Sequence, residues 1–377
     1  MKKTFLVLSI FFMFSCKKDD TLKPRSVVTV NTPKTAAIGD LQTYNTRGIA
    51  RVTGKTLPWD KYPNPNQTDV NYNVGGTDLG IMWDLGGKQT GIIFGDTFGS
   101  DWVYTDAGGA SGTNWRSNVV AWSKDTNLDD GLSFEGMITD NSGSAIEVIP
   151  SPHNTSGNGS FTSIPTAAVR LGNVDYIHYM DIRQWGTAGN WTTNSSSLYM
   201  TADNGKTWSA APGVRFSSTS NFAQAAYAKK DGYVYMIGTR SGRFGAAYLS
   251  RFLDANILQQ SEYEYWNGTT WVKNNEAAAV KIFDAPVGEI SVVYNTHFNR
   301  WITTYLTDWP YGIVMRSAVN ITGPWTKTRT VVSALTQPGL YGAYIHPQKN
   351  SGDELYFLMS VWQPYNVFLV KSKLRIQ

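Results

Sequence analysis

The sequence predicts an all-β chain closed into a five-bladed β-propeller, with six or seven blades as the alternatives. Three observations carry this. Only 16% of residues are charged, 13% are aromatic, and glycine accounts for 35 of 377. An average soluble domain is roughly a quarter charged, and a disordered chain lacks the apolar side chains that such an aromatic content supplies. Short apolar segments recur along the chain, each bounded by Gly, Asn, Asp or Pro. Four turns are each followed by a tryptophan, as in hairpins repeated around a ring. A jelly roll or a β-helix is the competing architecture.

In chain order, Lys2 and Lys3 precede an apolar run over residues 4–14 that ends at Ser15-Cys16. The run suits a signal peptide and is too short to span a bilayer as a helix. Cys16 is the single cysteine, so no disulfide is expected in the fold. A lone cysteine at a cleavage site resembles a bacterial lipoprotein, in which the thiol is acylated and holds the protein at a membrane. Lys17-Lys18-Asp19-Asp20 resembles the export signal of surface lipoproteins in Bacteroidetes-type outer membranes. The expected organisation is a signal peptide over residues 1–15, a lipid-anchored tether over 16–45, and a propeller domain over 46–377. The expected location is the outer membrane, exposed at the cell surface. The net charge of +4 is small and, with no basic blocks, gives no support for nucleic-acid binding. A monomer is the simple expectation.

Strand character falls at residues 91–94, 118–122, 166–170, 175–180, 197–200, 233–238, 246–251, 291–294, 301–306, 313–317, 354–361 and 367–371. Residues 253–264 form the one helical candidate. Thr201, Asp203, Gly205 and Trp208 resemble the Asp-box of sialidase-like propellers, in which Asp and Gly shape a hairpin turn and Trp packs between blades. Related turns end at Trp271, Trp301 and Trp325. At roughly 40 to 65 residues per blade, the chain after the tether makes five to seven blades.

A propeller gathers single residues from distant blades at one mouth of its channel, so no compact catalytic motif is expected. Two acidic residues stand out. Asp78 lies in Gly75-Gly76-Thr77-Asp78-Leu79-Gly80, and Asp96 in Gly91-Ile92-Ile93-Phe94-Gly95-Asp96-Thr97-Phe98-Gly99. A carboxylate at the end of an apolar strand is costly unless it faces water, a partner or a substrate. Two of them on neighbouring strands make the pair of carboxyls that glycoside hydrolysis needs. Turn-capping aspartates are the bland alternative. Calcium is disfavoured because the Asp-rich loop with its central Gly is missing.

These motifs, followed by Trp115-Arg116-Ser117-Asn118-Val119-Val120, resemble the former domain-of-unknown-function family 4185, now glycoside hydrolase family 183, the endo-D-arabinanases. The resemblance continues through Ser163-Ile164-Pro165-Thr166, residues 176–180 with Arg183 and Trp185, residues 288–292 and residues 341–347, covering most of residues 70–370. It implies a five-bladed propeller that cleaves internal α-D-arabinofuranosyl bonds of arabinogalactan and lipoarabinomannan without a cofactor. Asp78 and Asp96 are then the essential carboxylates.

Glu289 is a candidate third carboxylate. Arg116, Asn118, Arg183, His178 and His346 are candidate ligands for sugar hydroxyls, with structural roles as the alternative for each. Trp185, Trp309 and Tyr311 are candidate stacking surfaces for sugar rings. The four histidines are scattered without metal-ligand spacing, so no metal is expected. Inversion is favoured over retention. Three other functions compete: a glycan-binding surface lipoprotein without turnover, a glycosidase on another furanoside or a sialoside, and a protein-interaction scaffold.

Overall fold

The computed structural model describes residues 39–377. The expected signal peptide, Cys16 and most of the expected tether lie outside the described residues. Strand β1 (Leu41–Arg51) begins five residues before the domain boundary expected at 46. Residues 41–45 belong to the sheet, because Leu41 is fully buried and pairs with Ile376, and Tyr44 pairs with Lys373.

The described residues form five antiparallel sheets. Blade 1 holds β2 (Leu79–Gly86), β3 (Gln89–Phe94), β4 (Val119–Ser123) and β5 (Gly136–Met137). Blade 2 holds β6 (Thr162–Leu171), β7 (Val174–Trp185), β8 (Trp191–Thr201) and β9 (Ser209–Ser217). Blade 3 holds β10 (Gln224–Lys230), β11 (Tyr233–Thr239), β12 (Gly245–Leu253), the small hairpin β13 (Glu264–Trp266) with β14 (Trp271–Lys273), and β15 (Lys281–Val287). Blade 4 holds β16 (Ile290–Asn295), β17 (Arg300–Asp308), β18 (Tyr311–Ala318) and β19 (Arg329–Ser333). Blade 5 holds β20 (Leu340–Ile345), β21 (Glu354–Val361) and β22 (Asn366–Ile376), and takes β1 as its outer strand. The two ends of the described chain thus close one blade, so hydrogen bonds seal the ring where a disulfide is unavailable.

The first strand of each blade is innermost. β2 lies beside β6, β6 beside β10, β10 beside β16, β16 beside β20, and β20 returns to β2. Five blades, as the sequence predicts, therefore surround one axis. Strands with a blade on either side are buried along their length: β17 is buried at all but its last residue, its threonines included. Near the rim the pattern changes, and β9 alternates buried and exposed positions over its last four residues.

The core lies between blades. Phe216, Phe222, Phe252 and Tyr263 fill the space between blades 2 and 3, with Phe252 and Tyr263 stacked at 4.1 Å. Phe283, Trp301 and Tyr305 join blades 3 and 4. Phe94 meets Leu358 and Val367 between blades 1 and 5. Each such side chain contributes about 1.5–3 kcal/mol on burial.

The Asp-box forms the β8–β9 turn. Thr201 Oγ1 donates to Asp203 Oδ1 at 2.8 Å, the Thr207 amide donates to the same oxygen at 2.9 Å, and Trp208 Nε1 donates to the Gly205 carbonyl at 3.1 Å. Gly205 takes φ +84°, where a side chain is strained. The other turn-tryptophan units fall in blades 3 and 4, two of them in blade 4, so they mark hairpins rather than one station per blade. The helix expected over 253–264 resolves into two 3₁₀ turns, Asp254–Asn256 and Gln260–Glu262. So short a stretch does not repay helix nucleation. One four-residue helix, Thr68–Asn71, precedes blade 1.

Candidate active site

Asp78 immediately precedes β2, the innermost strand of blade 1, and Asp96 follows β3 by one residue. Leu79 pairs with Phe94, and the Gly95 amide donates to the Asp78 carbonyl at 3.1 Å. The hairpin register thus brings both acids to one end of the channel. Gly95 is required here, because a Cβ at this position would collide with the Asp78 carboxylate. Leu79 is held at φ +66°, a strained conformation for a branched side chain. Its amide is fixed by Ser360 Oγ at 2.8 Å.

The environments of the two carboxyls differ. Asp78 Oδ2 accepts from the Tyr341 hydroxyl at 3.0 Å, while Oδ1 is buried with no hydrogen-bond partner. Burial, reinforced by the charge of Asp96, pushes the Asp78 carboxyl up to about 8. Asp96 is 8% exposed. Its Oδ1 accepts from Thr162 Oγ1 at 2.6 Å and from Trp115 Nε1 at 2.7 Å. Burial raises Asp96 as well, and these two donors hold the rise to about 6. Near neutrality Asp78 keeps its proton and Asp96 has lost its own.

Trp115 is itself positioned. Its ring meets His153 at 4.1 Å and Phe161 at 5.3 Å, and His153 Nε2 lies 3.1 Å from Glu147 Oε1. Glu289 stands at the entry to β16 and is gripped by Arg243, with Nη2 2.7 Å and Nε 3.0 Å from Oε1. The Arg243 guanidinium lies 5.3 Å from the Tyr341 ring centroid and 5.9 Å from that of Trp191.

A cavity of about 600 Å³ opens over these groups. Every blade contributes to it: Asp78 and Asp96 from blade 1, Trp185 and Trp191 from blade 2, Arg243 from blade 3, Glu289 and Tyr311 from blade 4, and Tyr341, Trp362 and Tyr365 from blade 5. Acid, base, an ion pair and aromatic faces therefore converge on one space. This is equipment for acid–base cleavage of a hydroxyl-rich substrate.

Of the residues singled out in the sequence, Asp78, Asp96, Glu289, Trp185 and Tyr311 line this cavity. The others do not. Arg116 is buried, and its guanidinium donates to the carbonyls of Ala145 at 2.7 Å, Asn73 at 2.8 Å and Asn114 at 3.0 Å. Asn118 is spent on the Ile149 and Ser163 carbonyls and the Val148 and Ile149 amides. His178 is fully buried between blades 2 and 3, with Nδ1 2.9 Å from the Tyr227 hydroxyl and Nε2 3.3 Å from the Ala223 carbonyl. Burial drives it down to about 4 and keeps it neutral. His346 is likewise buried and neutral, its Nδ1 accepting from the Gln348 amide at 3.3 Å. All four satisfy buried backbone or side-chain polar groups instead of reaching a substrate. Arg183 is exposed on β7 outside the cavity lining. Trp309, 86% exposed, also stands outside it.

Several site residues carried no individual signal in the sequence. Trp115 and Tyr341 lie inside recognised motifs without a role attached to them. Thr162, Trp191, Arg243 and Trp362 sit in unremarkable stretches, and only closure of the ring brings them to the acids.

The chain matches the family model described as domain of unknown function (DUF4185) over residues 63–371. It is 30% identical over 313 residues to Notoamide biosynthesis cluster protein J of Aspergillus sp. (strain MF297-2), covering 77% of this chain and 80% of the relative. It is 29% identical over 309 residues to Notoamide biosynthesis cluster protein J' of Aspergillus versicolor, covering 77% and 82%. A candidate hydrolase from Bacteroides ovatus ATCC 8483 superposes with a TM-score of 0.54 at 13% identity, covering 80% of this chain and 86% of that one. At that identity the likeness speaks to the fold.

Proposed function

This chain belongs to the DUF4185 family, and from that premise we propose that it is an endo-acting glycoside hydrolase that cleaves internal α-D-arabinofuranosyl linkages of D-arabinan. The observation that carries the reading is the divided pair at the channel mouth. Asp78 is held protonated by burial and Asp96 is held ionised by Trp115 and Thr162. Two carboxyls whose environments separate their pKa values supply an acid and a base at one pH. The D-arabinan substrate rests on the resemblance of the Asp78 and Asp96 motifs.

In this mechanism Asp78 donates its proton to the glycosidic oxygen as the C1–O bond breaks. Asp96, anchored through Oδ1, takes a proton from the water that attacks C1, giving inversion by single displacement. Arg243 and Glu289 present a donor and an acceptor to ring hydroxyls, and Trp185 and Tyr311 offer flat apolar faces. Solvent exchange resets both carboxyls. Acylation at Cys16 would place the enzyme on the outer membrane, at the cell surface, beside polymeric substrate.

The test is digestion of purified D-arabinan and, separately, L-arabinan, with Asp78→Asn and Asp96→Asn alongside. A ladder of oligosaccharides from D-arabinan alone, lost in both variants, is expected. Proton NMR of the first-formed anomer checks the stereochemistry. The fungal relatives are named for a biosynthetic cluster, which favours a second reading: acid–base chemistry on a biosynthetic substrate other than a polymer in the same cavity. Absence of release from either polymer would favour that reading.

A further inference from the structure

A second depression, of about 720 Å³, lies between blades 4 and 5. Among the residues lining it are Arg47, Trp59, Tyr62, Tyr104, Gln337 and Gln363. Trp59 is 59% exposed and Tyr62 39%, so neither ring is consumed by the core. Their orientation is nonetheless fixed. Trp59 packs edge-on to Tyr104 at 5.0 Å and Tyr62 edge-on to Phe368 at 6.1 Å. Below them, Arg51 is paired with Asp60 at 2.7 Å and lies 4.8 Å from the centroid of the Phe368 ring. Asp60 neutralises the Arg51 charge in the floor, while the upper wall offers aromatic faces beside amide and guanidinium donors.

The groove and the catalytic cavity share a wall built from two chain segments. Gly339 and Trp362 line the cavity, whereas Pro338 and Gln363, their immediate neighbours, line the groove. The wall is tied by the Trp362 amide, which donates to the Gly339 carbonyl at 2.8 Å. At Gly339, held at φ +72°, a side chain would meet the Gln363 carboxamide. A glycan presents an apolar C–H face and a rim of hydroxyls, which an aromatic face bordered by polar donors complements. A chain cut internally must also extend beyond the cavity where it is cut.

We infer that the groove between blades 4 and 5 is an accessory glycan subsite that holds sugar residues of the same polymer as it leaves the catalytic cavity. This rests on the glycosidase reading and names where that substrate continues. Trp59 provides the principal stacking face and Tyr62 the second, with Gln337, Gln363 and Arg47 donating to hydroxyls.

The test compares Trp59→Ala and Tyr62→Ala with the unaltered protein on D-arabinan and on a D-arabinofuranosyl tetrasaccharide. Both positions are exposed enough for the fold to tolerate truncation. The expected result is about a tenfold loss in kcat/KM on the polymer, equal to about 1.4 kcal/mol, with tetrasaccharide cleavage unchanged. Equal losses on both substrates, or no loss on either, would overturn the inference. A second arm needs no turnover: Asp96→Asn protein is run through native gels containing D-arabinan. Retardation that weakens when Trp59→Ala is added supports the subsite, and retardation indifferent to Trp59, or absent, overturns it. Absence of cleavage by the unaltered protein, with Trp59-dependent retardation intact, would sink the hydrolase reading while leaving the subsite standing.

Discussion

The Tyr341 hydroxyl donates to Asp78 Oδ2 at 3.0 Å from the opposite side of the ring closure, 263 residues away in sequence. It donates to a carboxyl whose other oxygen is buried and unpaired. The protonation state of the proposed acid therefore depends on a small set of neighbours, each of which can be altered separately.

The first prediction concerns pH. Activity requires Asp96 ionised and Asp78 protonated, so kcat/KM should rise through about 6 and fall through about 8. Asn at either position should cost about 10²- to 10⁴-fold in kcat/KM at pH 7. A flat profile across this range would remove both assignments.

Stability should move the other way for Asp78→Asn. Asp78 has a folded pKa far above the ordinary value of about 4, so the folded state prefers the protonated form. Its contribution is fully present below about 4 and is lost as pH rises toward 8. Asn removes that loss. The variant should match the unaltered protein in Tm at pH 4 and exceed it increasingly between pH 5 and pH 8, while remaining inactive. Thermal melts across this range provide the check.

Tyr341→Phe and Glu289→Gln should shift the alkaline limb in opposite directions. The tyrosine hydroxyl favours the ionised form of Asp78, and its removal should raise the limb by roughly one pH unit. The Glu289 charge opposes that ionisation, whereas Arg243 favours it. Neutralising Glu289 leaves the Arg243 charge uncompensated and should lower the limb. Both variants moving the same way would show that the ion pair does not act on Asp78.

Thr162→Val tests the other carboxyl. It removes the 2.6 Å donor to Asp96 Oδ1 and leaves that of Trp115. Asp96 should then hold its proton more tightly, so the acidic limb should move up while the alkaline limb stays. Activity at pH 6 should fall by several-fold more than at pH 7.5, measured as initial rates at low substrate.

The sequence exposed the acids and concealed their setting, for a physical reason. Asp78 and Asp96 flank two consecutive strands of one hairpin, so short-range pattern suffices to pair them. Arg116 and Asn118 are conspicuous in the same stretch, but a polar side chain looks the same whether it serves a sugar or a buried carbonyl. Arg116 serves three carbonyls. Tyr341, Arg243 and Trp191 reach the site from blades 5, 3 and 2, and their approach depends on the closure of β1 against β22. Local periodicity does not encode that closure.

Trp191 yields the last prediction. Its indole Nε1 is buried and lacks a hydrogen-bond partner, yet the residue lines the cavity beside Arg243. A buried unpaired donor costs roughly 1–3 kcal/mol, and the prediction is that bound substrate supplies the missing partner. Trp191→Phe keeps an aromatic face and deletes the donor. The free protein should then be more stable by about 1 kcal/mol, read from urea midpoints at constant m-value. Catalysis should suffer, with kcat/KM on the polymer reduced about tenfold. Higher stability with unchanged catalysis would show that the donor faces no substrate. Lower stability would show that the indole is held by packing that Phe cannot replace. Only gain and loss together identify a donor kept unpaired for the ligand.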